Sequence, residues 1–255
     1  MIREITINSF EQYVSEVNSL GKELWFRGVK NKTYSLKPGA VRSNLDGRKE
    51  ITAVLDFMES YRIYHDEVSN PWELYSLMQH YGFPTRLLDW STSLLVGLYF
   101  SLDGEPDIVS GKPVERVVWA MTTGMLNTTN FLGKRILPTV SGKRKQTEQY
   151  LPSPLRSCEE ESVDFEENPL ALKIPPTNRR IQAQKGVFTI HGSNHKGIEE
   201  VMVDYGLQDE VFKFVFDENV ANKIRKSMHS MQINEDDIYQ DLNSLSQRII
   251  RRRKI

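Results

Sequence analysis

Residues 79–93 read Gln79-His80-Tyr81-Gly82-Phe83-Pro84-Thr85-Arg86-Leu87-Leu88-Asp89-Trp90-Ser91-Thr92-Ser93, and this stretch decides the fold. Apolar residues at helical spacing follow Pro71, and proline is favoured at the first position of a helix, so a helix is predicted to start there. It must end near Tyr81, because Gly82 suits a helix C-terminus and Pro84 disfavours helical dihedral angles at the preceding residue. A loop is predicted from Thr85 through Ser93, ahead of a nearly all-apolar helix over Leu94–Leu102 that belongs in the core.

The rest of the chain carries the patterns of an α+β protein. Alternating apolar runs predict strands over residues 2–7, 24–29, 116–121, 180–184, 187–190 and 212–216. The runs at 180–184 and 187–190 are predicted to join at Lys185 and Gly186 as a hairpin or bulge. Helical spacing predicts helices after Asn8 and Ser9, over residues 50–64, from Asp217 through Met228, and over residues 236–251. We expect about six short strands in a small mixed or mostly antiparallel sheet, flanked by helices.

The length favours one domain over residues 1–255, because 255 residues suffice for one substantial core. Residues 133–168 are polar, include Pro152 and Pro154 and end in an acidic run, which predicts a mobile insertion. Residues 217–251 are predicted to form a C-terminal helical pair that closes the domain.

Composition excludes several classes of protein. Lys and Arg number 33 against 34 Asp and Glu, so no global field draws the molecule to nucleic acid or lipid. The longest apolar stretch, residues 94–100, is about a third of the roughly 20 residues that a membrane span needs. One cysteine permits no internal disulfide, and a cytoplasmic location is expected. The five histidines are scattered, so no metal site is expected.

A basic cluster lies at the C-terminus, where Arg248, Arg251, Arg252, Arg253 and Lys254 fall within seven residues. One interpretation is a solvated helix end, since cations there suit the helix dipole. The other is a patch that targets RNA.

Three segments are too particular to be explained by packing alone. They are Trp25-Phe26-Arg27-Gly28, the run over residues 79–93, and Arg180-Ile181-Gln182-Ala183-Gln184-Lys185-Gly186-Val187-Phe188. Through them the sequence resembles the FRG family, named for the Phe-Arg-Gly signature, over roughly residues 24–188. The resemblance implies a toxic effector of a bacterial anti-phage defence or toxin–antitoxin system, and an antitoxin or regulatory protein as a partner.

The same segments are similar to the Arg, Ser-Thr-Ser and Gln-x-Glu layout of one class of ADP-ribosyltransferases. That similarity implies an ADP-ribosyltransferase-like core, with NAD bound as a substrate. Arg27 then binds the NAD diphosphate or ribose through its guanidinium, and Gly28 lets the nicotinamide ring approach the backbone. Ser91, Thr92 and Ser93 correspond to the middle element, whose hydroxyls hold the ribose and the catalytic side chain, although they also suit an ordinary helix N-cap.

The third element departs from the pattern, because Gln184 stands where the similarity calls for glutamate, with Gln182 two residues earlier. Cleavage of the bond between nicotinamide and ribose develops positive charge that a carboxylate stabilises, and a neutral amide supplies none. Two alternatives stay open: Asp89 reaches the site, or the site binds a nucleotide without efficient chemistry. Asp89 is equally suited to a buried ion pair with Arg86 or Arg27.

The long run supplies further candidates for cofactor contacts. His80 suits a pocket hydrogen bond or acid–base chemistry, since imidazole titrates near neutrality. Arg86 is a second cation, and Tyr81 and Trp90 offer aromatic faces to nicotinamide or adenine, unless they serve packing.

The leading hypothesis from the sequence is therefore an NAD-binding, ADP-ribosyltransferase-like domain. As an enzyme it would be a mono-ADP-ribosyltransferase acting on an unidentified protein or nucleic acid, or an NAD glycohydrolase. The alternatives are a non-catalytic module that binds a nucleotide or a protein, and a protein that targets RNA.

Overall fold

The structure is a computed structural model that describes residues 1–45, 47–134, 136–139, 147–156, 167–176 and 178–253. Its strands are β1 Arg3–Thr6, β2 Leu24–Val29, β3 Leu87–Ser91, β4 Ile108–Val109, β5 Lys112–Pro113, β6 Arg116–Thr122, β7 Leu137–Pro138, β8 Leu170–Lys173, β9 Gly186–Ile190 and β10 Val211–Phe216. Its α-helices are α1 Phe10–Ser19, α2 Gly39–Arg42, α3 Gly47–Ser60, α4 Pro71–His80, α5 Leu94–Leu102, α6 Arg179–Ala183, α7 Ile198–Asp204, α8 Glu218–Ser230, α9 Glu235–Tyr239 and α10 Leu242–Arg253.

The described residues form one main sheet of eight strands in the order β1-β10-β6-β2-β3-β9-β8-β7. Neighbours are antiparallel except for β1 with β10 and β7 with β8, which are parallel. Strands β4 and β5 form a separate hairpin. The predicted α+β class and mostly antiparallel sheet are confirmed, with more strands than the expected six, while the ADP-ribosyltransferase-like character of the core stays a prediction.

The sheet is weakly joined in its middle, between β2 and β3. These strands share one residue pair, Phe26 with Ser91. By contrast, β2 pairs with β6 through six residues and β3 with β9 through five. Two well-formed halves therefore meet at a narrow contact, which leaves room for a cleft beside it.

Two groups of helices cover one face of the sheet, one group on each side of this contact. Helices α1, α5 and α8 pack on the half that contains β1, β10, β6 and β2, through a cluster that includes Tyr13, Leu98 and Ile224. Helices α3 and α4 pack on the half that contains β3, β9 and β8, through a cluster that includes Val54 and Met78. A third cluster, under α7, covers the opposite face.

Helix α5 lies unusually close to β2 because both elements carry glycine at the crossing. A Cβ built at Gly28 would overlap the backbone of Gly97 and Ser101. A Cβ at Gly97 would in turn lie 2.6 Å from the Cβ of Phe26. The absence of a side chain at Gly28 is therefore required by helix packing, whatever else it permits.

The loop predicted over residues 85–93 is wrong in its middle part, because Leu87–Ser91 form the central strand β3. Leu88 and Trp90 pack in the cluster under α7, whereas Leu87 packs toward α4. The intervening Asp89 is exposed, so the strand does not show the simple apolar alternation of a half-buried one.

Two further predictions differ from the structure near the C-terminal half. Residues 180–184 lie in the short helix α6 and its C-cap instead of a strand, with Asn178 as N-cap accepting a hydrogen bond from the Ile181 amide. The single helix predicted over residues 236–251 is two helices, α9 and α10, which are separated at Gln240, a residue in the left-handed region with φ 54°.

Half of the mobile insertion predicted over residues 133–168 lies outside the described residues. The parts of that range which are described include β7 and the buried Leu151 and Leu155, which pack in the cluster under α3 and α4. Across the described ranges, no helix is both long enough and apolar enough to cross a membrane.

Candidate functional site

A cavity of about 280 Å³ opens where β2 and β3 part. Its walls come from β2, β3 and β9, from α4 and α5, and from α6 with its C-cap residue. The polar residues that line it include Arg27, Gln79, His80, Asp89, Ser91, Arg180 and Gln184. Segments far apart in the sequence therefore meet at one concave site.

The structure divides the predicted site residues into two groups. Those that line the cavity are Arg27, Gly28, His80, Asp89, Trp90, Ser91 and Gln184. Those that do not line it are Tyr81, Arg86, Thr92, Ser93 and Gln182. All four residues predicted to serve catalysis fall in the first group.

Arg27 is a largely buried cation with few partners. Its Nη1 donates a 2.6 Å hydrogen bond to the backbone oxygen of Asp89 and lies 3.9 Å from a carboxylate oxygen of the same residue. Burial lowers the pKa of Arg27, the Asp89 charge opposes this shift, and the charge of Arg42 adds to it. A guanidinium has five N–H donors, so most of its hydrogen-bonding capacity stays available to an anion in the cavity.

Asp89 is held by a short chain of side-chain hydrogen bonds. The Gln79 amide donates to Asp89 Oδ1 at 2.7 Å, and the Thr85 hydroxyl donates to the Gln79 carbonyl oxygen. The Asp89 side chain is 62% exposed, so its charge faces the solvent-filled side of the cavity. Gln79, the partner of Asp89, was not among the predicted site residues, although it is the first residue of the run over residues 79–93.

Ser91 and Gln184 are in contact, but each makes hydrogen bonds within the protein. The Ser91 hydroxyl donates to the Gln184 backbone oxygen at 2.7 Å and accepts from the Ser93 amide at 3.0 Å. The Gln184 side-chain amide donates to the backbone oxygen of Ile238 at 3.2 Å. Ser93 is the N-cap residue of α5, but its hydroxyl makes no capping bond. These bonds fix the β3–α6 contact and tie it to α9.

His80 and Arg180 share the cavity wall near α6. Burial lowers the pKa of His80, and the charge of Arg180 lowers it further, against opposing effects of Asp89 and Asp241. The imidazole is therefore neutral near pH 7. Arg180 stands within the third quoted segment, but the apolar alternation beside it predicted a strand, and Arg180 was not among the predicted site residues.

Several candidates have structural roles elsewhere. Arg86 Nε pairs with Glu50 at 3.0 Å in a buried setting. The Trp90 indole donates to the Thr189 hydroxyl at 3.0 Å, and only 3% of the residue is exposed, so its ring presents no face to a ligand. Tyr81 is 68% exposed and contacts the edge of His80. Thr92 and Gln182 are exposed.

The C-terminal basic cluster is partly neutralised by α9. Arg248 pairs with Asp236 at 2.6 Å, and Arg251 pairs with Glu235. Lys254 lies outside the described residues. Among the described residues there is no group of three or more His, Cys, Asp or Glu side chains placed to hold a metal ion.

Comparison with known sequences bears on the segments that build this cavity. Residues 22–107 match the sequence model of the FRG domain. The FRG match spans β2, α4, β3 and α5, and so includes Arg27, Asp89 and Ser91, whereas Arg180 and Gln184 lie beyond it. It supports the FRG family for this part of the chain. Neither the search of curated proteins nor the search of solved structures gave a match.

Proposed function

We propose that the cavity between β2 and β3 is an NAD site and that the chain is an ADP-ribosyltransferase-like enzyme. One observation carries the proposal: Arg27, Asp89, Ser91 and Gln184 come from distant segments and line the same cavity. A guanidinium with spare donors suits phosphate, and a carboxylate suits the positive charge that develops on a ribose.

The size of the cavity limits which part of NAD it receives. At about 280 Å³ it falls just below the roughly 300–1,000 Å³ of typical small-molecule sites. We assign the enclosed space to the nicotinamide ribose and the adjoining phosphates, with the adenosine extending into solvent. This assignment places the reacting bond near the residues that can act on it.

The proposed chemistry uses Asp89 where the related layout has glutamate. The bond between nicotinamide nitrogen and ribose C1′ breaks, its electron pair stays with the departing nicotinamide, and the ribose becomes an oxocarbenium ion. The Asp89 carboxylate stabilises that charge. Water or an acceptor nucleophile then attacks C1′ and gives up its proton to Asp89 or to the neutral imidazole of His80.

The experiment measures NAD binding by thermal shift and nicotinamide release by chromatography, with and without cellular protein and nucleic acid as acceptors. Asp89→Asn is expected to keep binding and to slow nicotinamide release about a hundredfold, the cost of losing one stabilising group. Asp56→Asn makes the same carboxylate-to-amide change at an exposed position on α3 and is the matched control. It should change neither NAD binding nor nicotinamide release. A wild-type protein that neither binds NAD nor releases nicotinamide would remove the proposal.

A second candidate is a module that binds the nucleotide without cleaving it. The internal hydrogen bonds of Ser91 and Gln184 favour this candidate, because they leave neither group free to approach the ribose without rearrangement. The same experiment separates the two: NAD binding without nicotinamide release, unchanged by Asp89→Asn, supports the binding module.

The role of a toxic effector in bacterial defence follows from the FRG resemblance and from no residue of the site. It predicts that expression of the wild-type chain slows bacterial growth and that Arg27→Gln relieves this effect. Equal growth inhibition by the two proteins would separate toxicity from the cavity.

A further inference from the structure

Arg180 gives the cavity a second guanidinium that the preceding assignment does not use. It lies on α6, lines the cavity with Arg27, and forms no ion pair with any residue in the described ranges. Its guanidinium carbon instead lies 4.7 Å from the centre of the Tyr239 ring, a cation–π contact. A cation held by an aromatic face keeps its N–H edge free for another partner.

The side chains that line the cavity carry unbalanced charges, while Asp241, outside the lining, also acts on Arg180. Arg27 and Arg180 contribute two positive charges, and Asp89 contributes one negative charge. His80 is neutral near pH 7 for the reasons given above. A ligand with two phosphate groups would give each of the two arginines its own partner.

We propose that Arg27 and Arg180 together bind a diphosphate, so that Arg180 makes the site selective for nucleoside diphosphates and their esters over monophosphates. This inference deepens the proposed function and rests on it. Each guanidinium contacts one phosphate group of the diphosphate. A monophosphate has one phosphate group, so it leaves one of the two arginines without a partner. NAD, ADP-ribose and ADP belong to the favoured class, and AMP does not.

Tyr239 is the positioning residue for Arg180. Its hydroxyl donates to Asp103 Oδ2 at 2.6 Å, and its ring lies against Tyr99 and Phe100 of α5. Tyr239 is thereby fixed to the helix that covers β2, while Arg180 rests on its face. The short helix α9 does not line the cavity, but through Tyr239 it positions Arg180, which does, and this gives the C-terminal segment an indirect part in ligand binding.

The test compares the affinities of ADP and AMP by calorimetry in the full-length chain. The wild-type protein should bind ADP about tenfold or more tightly than AMP, because one charge-assisted contact is added. Arg180→Gln should reduce this preference to about twofold or less. Arg179→Gln, which removes the same charge from an exposed neighbour on the same helix, should keep the wild-type preference.

Tyr239 supplies an independent readout. Tyr239→Phe keeps the ring and should keep the ADP preference, whereas Tyr239→Leu should reduce it toward that of Arg180→Gln. The role of Arg180 is refuted, and the proposed function survives, if three results occur together: the wild-type protein binds NAD and ADP, Arg27→Gln abolishes this binding, and Arg180→Gln keeps the same ADP preference as Arg179→Gln. If the wild-type protein binds neither NAD nor ADP, the proposed function fails together with it.

Discussion

Replacement by methionine should affect the free energy of unfolding very differently at two arginines of the central strands, Arg116 and Arg27. Arg116, on β6, is fully buried and satisfied: it pairs with Glu218 at 2.6 Å and donates to the backbone oxygens of Ser101 and Gly104 at 2.8 and 2.9 Å. Arg116→Met leaves the two buried backbone oxygens without this donor and leaves Glu218 with Arg225 alone, at 2.7 Å. The expected loss is about 3–5 kcal/mol in the free energy of unfolding, the usual cost of breaking a buried pair.

Arg27 differs from Arg116 in the balance between its stabilising contacts and the cost of burying its charge. Its one hydrogen bond, to Asp89, is worth about 1.5–3 kcal/mol as a bond to a charged group. The 3.9 Å ion pair adds about 1 kcal/mol or less, because the Asp89 side chain is 62% exposed and screened. Burial of the guanidinium costs several kcal/mol. The terms nearly cancel, so Arg27→Met should change the free energy of unfolding by less than about 1 kcal/mol.

The assay is urea unfolding followed by circular dichroism, with and without NAD. NAD at a hundred times its dissociation constant should stabilise the wild-type protein by about 2.7 kcal/mol and the Arg27→Met protein by nothing measurable. If Arg27→Met costs as much stability as Arg116→Met, then Arg27 is a structural residue and the reasoning is refuted.

Three further outcomes are expected from the fold. Gly28→Ala should lower the free energy of unfolding in urea by about 2 kcal/mol or more, because the added Cβ would overlap the backbone of α5. Gly47→Ala, at a position with open space around it, should leave stability unchanged or raise it slightly. Equal effects of the two substitutions would contradict the close packing of α5 on β2. Glu50→Gln should cost about 3 kcal/mol by removing the partner of buried Arg86, and a loss below 1 kcal/mol would show that the pair is dispensable. Burial lowers the pKa of His191 from 6.5 to about 3, so as the pH falls the imidazole is protonated in the unfolded chain before it is protonated in the folded one. The free energy of unfolding should therefore fall by ~1.4 kcal/mol per pH unit between pH 6.5 and 3. His191→Gln should remove this contribution to the pH dependence of stability, and an unchanged pH dependence would disprove the prediction.

The elements that bury apolar residues at regular spacing could be predicted from the sequence. Strand β2 was predicted with its bounds, and so was α5, because their apolar residues are continuous and flanked by polar ones. Helix α4 starts at Pro71, with Asn70 as its N-cap, and ends at His80, as the glycine and proline beyond it indicate.

The parts that form the site resisted prediction for a physical reason. Strand β3 places Asp89 and Ser91 at a cavity, so polar residues replace the apolar ones that would mark a strand. Helix α6 has five residues, too few for a helical period to be distinguished from alternation, and its one clear signal is the Asn178 cap. Arg180 was missed because its position depends on this helix and on Tyr239, which is 59 residues later in the chain.

The functional hypothesis drawn from the sequence motifs required Arg27, Ser91 and Gln184 to meet at one site and left open whether Asp89 reaches it. Their meeting at one cavity follows from β2 and β3 being neighbours in the sheet and from α6 leading directly into β9, which pairs with β3. The motif order alone could not give the partners of each group. In the folded chain Arg86 pairs with Glu50, which frees Asp89 to lie beside Arg27.

A crystal structure of the protein grown with ADP-ribose would test the nucleotide site most directly. The account predicts phosphate density within hydrogen-bonding distance of the Arg27 guanidinium, with the terminal ribose directed toward Asp89. Well-ordered crystals in which the cavity stays empty at saturating ADP-ribose, or in which the ligand binds elsewhere on the surface, would contradict it.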